Sequence, residues 1–225
     1  MDAQPLSSAS PPGSPDDWRR AAVIVAHPDD EILWAGGLML SNPNCQWFIA
    51  TLCRGCDPDR SPRFARVLEQ IHARGAMADM DDAPEQSPLV LTSVQSAVLD
   101  LIPQQSYDLI LTHAPEGEYT RHRRHEEVSR AVTDLWQAGI LRAPWLALFA
   151  YEDDHGRRLP EAVRTAHRVQ VLPGPILDQK NRLIREVYGF QPESWEARTS
   201  PHTEAFWFFD SPAAFQSWVD KRGLE

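Results

Sequence analysis

The sequence predicts an α/β chain with a Rossmann-like, mostly parallel sheet flanked by helices, and two observations carry that expectation. Short runs rich in β-branched and aromatic residues recur at AAVIVAH (21–27), QWFIATL (46–52), YDLILTH (107–113) and WLALFAY (145–151). The first is apolar at nearly every position, as a strand buried on both faces must be. Between these runs lie segments with helical spacing: EILWAGGLML (31–40), RFARVLEQIHARGAMA (63–78), SVQSAVLDLI (93–102) and HEEVSRAVTDLWQAG (125–139). Strands alternating with helices build βαβ units, and βαβ units build parallel sheets.

Taken in order, residues 1–18 (MDAQPLSSASPPGSPDDW) are dense in Pro, Ser and Asp and hold too little apolar surface to offset the entropy of ordering them. A flexible tail is expected there, with one α/β domain over 19–225, a size suited to a single core. In the last third, HRVQVL (167–172) is expected to be a strand and ILDQKNRLIREVYGF (176–190) a helix. SPAAFQSWVDKR (211–222) is expected to be a terminal helix opened by Ser211, with Pro212 in its first turn.

Composition narrows the function. Twenty-two Lys and Arg against 32 Asp and Glu give a net charge of -10, which opposes a surface built to neutralise phosphates, so nucleic acid is not an expected partner. No run approaches the roughly 20 apolar residues of a membrane span, and the N-terminus lacks a signal-peptide pattern, so a cytoplasmic protein is expected. Cys53 and Cys56 form a CxxC, but without a second CxxC or a nearby His pair they read as reduced thiols at a strand end.

The chemistry-bearing residues follow two of the strands. The first strand ends at Ala26 and leads into His27-Pro28-Asp29-Asp30-Glu31, the position beyond a carboxyl end where open α/β sheets bind ligands. Carboxylates crowded beside an imidazole suit a divalent cation; the competing reading is that Asp29 and Asp30 merely cap the next helix. After YDLILTH, His122 and His125 stand three apart at the start of a helix and project from nearly the same face. A parallel arrangement would open that strand end onto the same edge as His27.

These strings together resemble the LmbE-like, or PIG-L, family of zinc-dependent N-deacetylases. AHPDDE (26–31) is followed by Thr112, His113, Gly117, Glu118, His122 and His125 in the family's TH…GE…HxxH order, and Lys180, Tyr188 and Gln191 are similar to its later K…Y..Q segment. The resemblance spans about residues 20–191. It implies His27, Asp30 and His125 as zinc ligands, Asp29 as general base, and His122 facing the developing oxyanion or the leaving amine. Arg66, Glu118 and Tyr188, at positions that resemble the family's, are expected in the substrate pocket, although Arg66 also fits an ordinary surface helix charge; Arg123 is expected there from its place near the mouth, and His113, ending a strand beside the site, is expected behind the ligands. Three protein ligands leave one coordination position open, as catalytic zinc sites do. Glu31 is expected to orient its neighbours or cap the helix rather than react.

The chain departs from the family at Arg123-Arg124, where relatives commonly have Pro-Asp between the two histidines. Two arginines at the mouth would favour an anionic substrate. The implied activity is removal of the acetyl group from an N-acetylated amino sugar or glycoconjugate, with zinc or another divalent metal as cofactor. Amidase action on a larger thiol-sugar-type conjugate is the alternative within the same chemistry, and a non-catalytic Rossmann-like binding module the alternative outside it. A dinucleotide enzyme is disfavoured because HPDDE stands where GxGxxG would be needed. Oligomerisation is common in such families, and no stretch of the sequence locates an interface. His155 and His202 are placed in loops within reach of the rim.

Overall fold

The computed structural model describes residues 18–85, 87–119 and 122–224. The tail expected over 1–18 lies outside these residues except for Trp18, which is buried, stacked on Phe208 and edge-on to Trp47. Five strands run parallel: β1 (Arg20–Val25), β2 (Gln46–Cys53), β3 (Arg74–Met80), β4 (Leu109–Thr112) and β5 (Trp145–Phe149). A ribbon of β6 (Tyr151–Glu152) and β7 (Glu161–Ala162) stands apart from them. β8 (Arg168–Val171) and β9 (Thr203–Phe209) complete the main sheet antiparallel, in the order β3-β2-β1-β4-β5-β9-β8. The fold class is the expected one.

Alternation along β1 explains why its sequence is apolar throughout. Ala21, Val23 and Val25 join one core cluster while Ala22, Ile24 and Ala26 join the other, all fully buried. Helix α1 (Asp30–Ser41) and α2 (Arg60–Gln70) cover the first face. Helices α3 (Leu91–Leu101), α4 (Arg123–Gln137) and, through Phe215, α7 (Pro212–Arg222) cover the second. Ser211 caps α7 as expected, its side chain accepting from the Ala214 N–H. Helix α5 (Gly174–Arg182) continues into a π-helical turn, Leu183–Val187, and a short α6 (Trp195–Thr199) follows. No helix among the described residues is long and apolar enough to cross a membrane.

One expected element is corrected. The helix read over 63–78 ends at Gln70, and RGAMADM becomes β3, the edge strand beside β2. Ala and Met have strong helix propensity, but pairing with β2, from Phe48↔Arg74 to Thr51↔Met77, overrides it. This strand delivers Asp81 and Asp82 to the carboxyl edge of the sheet.

A buried ion pair fastens α1 and α5 to β9. Lys180 Nζ lies 2.8 Å from Glu204 Oε1, both side chains being fully buried, and Glu204 also accepts the N–H groups of Gly37 at 2.7 Å and Leu38 at 2.8 Å. Glycine at position 37 suits this approach, because a Cβ there would stand 2.3 Å from Leu172 Cδ2 and 3.0 Å from Glu204 Cδ and force those side chains to shift. Gly37→Ala is therefore expected to cost about 1–3 kcal/mol through overpacking, read as a lower urea midpoint at unchanged slope.

Candidate metal and catalytic site

The order β3-β2-β1-β4 reverses direction in sequence between β1 and β4, which makes the gap beyond their carboxyl ends the switch point where such sheets bind ligands. His27 leaves β1 and His113 leaves β4 at this gap, while α4 starts above it and delivers His125. Three atoms converge there. His27 Nδ1 and Asp30 Oδ2 are 3.2 Å apart, His125 Nε2 and Asp30 Oδ2 are 3.3 Å apart, and His125 Nε2 and His27 Nδ1 are 3.4 Å apart. Ligands about 2.0–2.1 Å from a tetrahedral zinc would be separated by about 3.3 Å, so the triangle fits such an ion.

Hydrogen bonds behind the triangle turn its lone pairs inward. Glu118 is a fully buried carboxylate that burial would raise but the neighbouring His113 and His125 hold down at about 2. An ionised carboxylate only accepts, so His125 Nδ1–H donates to its Oε2 at 2.6 Å, leaving Nε2 to face the triangle. His27 Nε2–H likewise donates to Asp82 Oδ1 at 3.1 Å, leaving Nδ1 inward. Asp82 is clamped in turn by Arg54, whose Nε and NH2 approach to 2.8 and 2.7 Å. The second oxygen of Asp30 accepts from Trp34 Nε1 at 3.1 Å. Carboxylates behind each histidine fix its tautomer and raise its basicity, as in carboxylate–histidine–metal triads.

The electrostatics agree with a cation-seeking centre. Burial opposes charge on His125, yet Asp30 and Glu118 carry its pKa up to about 10. Burial also opposes charge on His27, and Asp30 and Asp82 outweigh it. His113 stays out of the triangle because its Nε2 accepts the Ala26 N–H at 3.0 Å, so its Nδ1–H donates to Glu118 at 2.8 Å. Burial lowers its pKa, keeping it neutral. Around the triangle, His27, His122 and His125 also lie close enough to share an ion, as do Asp30, His113 and His125, while the grouping of His27, Cys53 and Asp82 is less suited to a metal. Burial pushes the Cys53 thiol up to about 12 and keeps it protonated, and Asp82 is already held by Arg54.

Asp29 does not cap α1. It occupies the N-cap position with no side-chain cap hydrogen bond and a backbone at φ 141°, a region that non-glycine residues rarely adopt. Its carboxylate instead lines a cleft of about 200 Å³ over the triangle, 3.7 Å from Arg60 NH1. Burial, then the adjacent Asp30, pushes the Asp29 carboxyl well above its usual range. His122 lines the same cleft, its ring 4.6 Å from that of His27 and 4.4 Å from that of His125. Burial and these two neighbours bring its pKa down to about 3, so it is neutral at physiological pH.

The other sequence expectations divide. Glu118 is fully buried behind His125 and His113 and does not line the cleft, and Tyr188 is buried with its hydroxyl on Glu31. Arg66 is exposed on α2, and neither it nor Arg123 lines the cleft. Arg124 is buried and holds Asp81, the Ser87 carbonyl and Glu127. Arg124 is thereby removed from the anionic-substrate reading: it pins to α4 the loop that carries Asp82. His155 and His202 are exposed and do not line the cleft either. Cleft residues that the sequence did not single out are Arg54, Arg60, Asp82, Tyr119, Trp195 and Glu196.

The doubly wound sheet with its β1/β4 switch point is a fold that this chain shares with solved deacetylases and with a hydratase. Among solved structures, N,N'-diacetylchitobiose deacetylase from Pyrococcus horikoshii is similar with a TM-score of 0.65 at 14% identity, over 86% of this chain and 85% of that one. The zinc-inhibited form of teicoplanin deacetylase gives a TM-score of 0.57 at 14% identity, over 76% and 84%. The 4-carboxy-2-hydroxymuconate hydratase of Pseudomonas putida gives 0.56 at 15% identity, over 91% and 88%. In sequence, an uncharacterized protein of Acanthamoeba polyphaga mimivirus is 23% identical over 129 residues, so the chain spans 56% of that relative's length. No family model matches the chain.

Proposed function

We propose that the chain is a metal-dependent hydrolase that removes the acetyl group from an N-acetylated amino sugar or glycoconjugate. The observation that carries this reading is the triangle of His27 Nδ1, Asp30 Oδ2 and His125 Nε2, with the Asp29 carboxylate beside it and bound to none of its members. These three residues would hold zinc, or another divalent ion that accepts two imidazoles and a carboxylate. When bound, such an ion supplies Lewis acidity toward a carbonyl oxygen and acidifies water. Fold likeness alone does not choose the reaction, since a hydratase is among the similar structures; the donor set of the site supports hydrolysis.

Asp29, its proton affinity raised by burial, takes a proton from water as the oxygen attacks the amide carbon, and returns it to the departing amine. His122 is neutral, so it serves as an N–H donor toward the carbonyl oxygen as charge develops there rather than as an imidazolium acid. Trp195 stands at the cleft with its ring 4.6 Å from Tyr119, and the two offer an apolar wall for a sugar face, while Glu196 beside them can accept from hydroxyls. The names of two similar proteins, deacetylases of diacetylchitobiose and of teicoplanin, support the sugar.

Acetate release from a panel of N-acetyl amino sugars, run beside a set of bulkier sugar amides, tests the reading. Acetate from the first set supports deacetylation; release of only a larger acid from the second moves the assignment to the amidase alternative. Hydrolysis of neither set sinks it. Weakening the support of the triangle gives a separate expectation: Asp82→Asn lowers metal affinity about 10–100-fold, measured by competition with a chromogenic chelator, because His27 loses its ionised partner.

A further inference from the structure

We propose that Glu31 and Tyr188 are positioning residues that hold the Asp29 backbone in its φ 141° conformation, so that the turn after α5 aims the base although it touches neither metal nor substrate. This rests on the deacetylase reading for its kinetic consequences and on geometry alone for its structural one.

Four observations converge on Asp29. Its N–H donates to Glu31 Oε2 at 3.0 Å. The other oxygen of Glu31, Oε1, accepts the hydroxyl of Tyr188, which comes from 157 residues further along the chain. Glu31 is fully buried and Tyr188 nearly so, which keeps water from replacing either bond. Tyr188 directly follows the π-helical turn Leu183–Val187, and π turns recur at functional sites because the extra residue re-aims the side chains after it.

The same segment reaches the Asp29 carboxylate by a second route. Phe190 lies under Arg60, whose guanidinium carbon is 4.3 Å from the ring centre, and Arg60 NH1 lies 3.7 Å from Asp29 Oδ2. Between the two, Gly189 has φ +77°, and a Cβ there would stand 2.0 Å from Arg63 NH1. Arg63 also approaches the Val187 carbonyl at 3.4 Å, so α2 grips this segment at two points. Residues 187–190 thus address the backbone of the base through Tyr188 and Glu31, and its carboxylate through Phe190 and Arg60. A residue in a sparsely populated conformation persists only when its surroundings over-determine it, and these contacts are those surroundings.

What positioning requires of residue 31 is an acceptor for the Asp29 N–H, and a glutamine carbonyl is one; alanine is not. Glu31→Gln should keep kcat within about threefold of wild type, Tyr188→Phe should lower it by about 10-fold, and Glu31→Ala by about 100-fold, the cost of a base displaced by a fraction of an ångström. KM and metal content should hold in all three. Crystal structures should keep Asp29 at positive φ in Glu31→Gln and show it relaxed to negative φ in Glu31→Ala. Glu31→Gln as damaged as Glu31→Ala, or a loss of metal that accounts for the lost activity, would overturn the proposal. Positive φ retained in Glu31→Ala would also overturn it. Should Glu31→Ala fail to fold, Tyr188→Phe decides by the same split of kcat from KM. If the wild type hydrolyses no amide, the functional reading fails, and the positioning claim is still decided by the backbone of Asp29 in the variants.

Discussion

Asp29→Asn is expected to lower kcat for acetate release by about 10²–10⁴-fold, with the metal retained. Asparagine is the informative replacement because it matches aspartate in size and, like aspartate, is among the non-glycine residues most often found at positive φ, so it disturbs the φ 141° backbone of the wild type least. The amide keeps the shape of the side chain and loses its ability to take a proton. Since Asp29 lies outside the triangle of Nδ1, Oδ2 and Nε2 atoms, metal content should hold. A parallel loss of metal and activity would mean that Asp29 is a ligand, and unchanged activity would remove it from the reaction.

The second large effect concerns stability. Glu204→Leu leaves the Lys180 ammonium buried without its partner and deprives the Gly37 and Leu38 N–H groups of an acceptor. Removing one member of a buried pair costs about 3–5 kcal/mol, which for a chain of this size lowers the melting temperature by roughly 10 °C. Burial works against the Lys180 charge and outweighs the support of Glu204, so the Lys180 pKa lies below its usual value, and the Pro201 carbonyl at 3.3 Å is the other acceptor of Nζ. Lys180→Met should cost less, because Glu204 keeps both backbone donors. Adding it to Glu204→Leu should recover part of the loss, since no unpaired charge then remains. A melting temperature for Glu204→Leu within a degree or two of wild type would show that the pair contributes nothing.

The two effects also separate what the sequence displays from what it hides. Four of the parallel strands were legible because burial on both faces forces consecutive apolar residues, as in Ala21–Ala26. Following a strand drew attention to His27 and Asp30, but the motif order of the resemblance singled out His27, Asp30 and His125 together, and the structure brings one atom of each within 3.4 Å of the others. β3 was not legible: its side chains are half-buried or exposed, and its Ala and Met residues favour helix, so only pairing with β2 reveals it. The Asp82 that supports His27 was lost with it, since a carboxylate after a recognised strand would have been a candidate. The supporting roles of Glu118 and Tyr188 were equally hidden, because a motif position gives no direction to a side chain. Arg124 shows the converse, where a charge next to a site looks like a substrate contact but its guanidinium donates instead to Asp81, Ser87 and Glu127.

The most direct test of the central claim is metal content by elemental analysis, after reconstitution with zinc and desalting, for the wild type and for His125→Ala. The triangle predicts about one zinc per chain in the wild type and a stoichiometry near zero in the variant, which removes Nε2 from a three-ligand set. A wild-type chain that reconstitutes without metal, or a His125→Ala chain that binds zinc as fully as the wild type, would contradict the assignment of His27, Asp30 and His125 as a metal site.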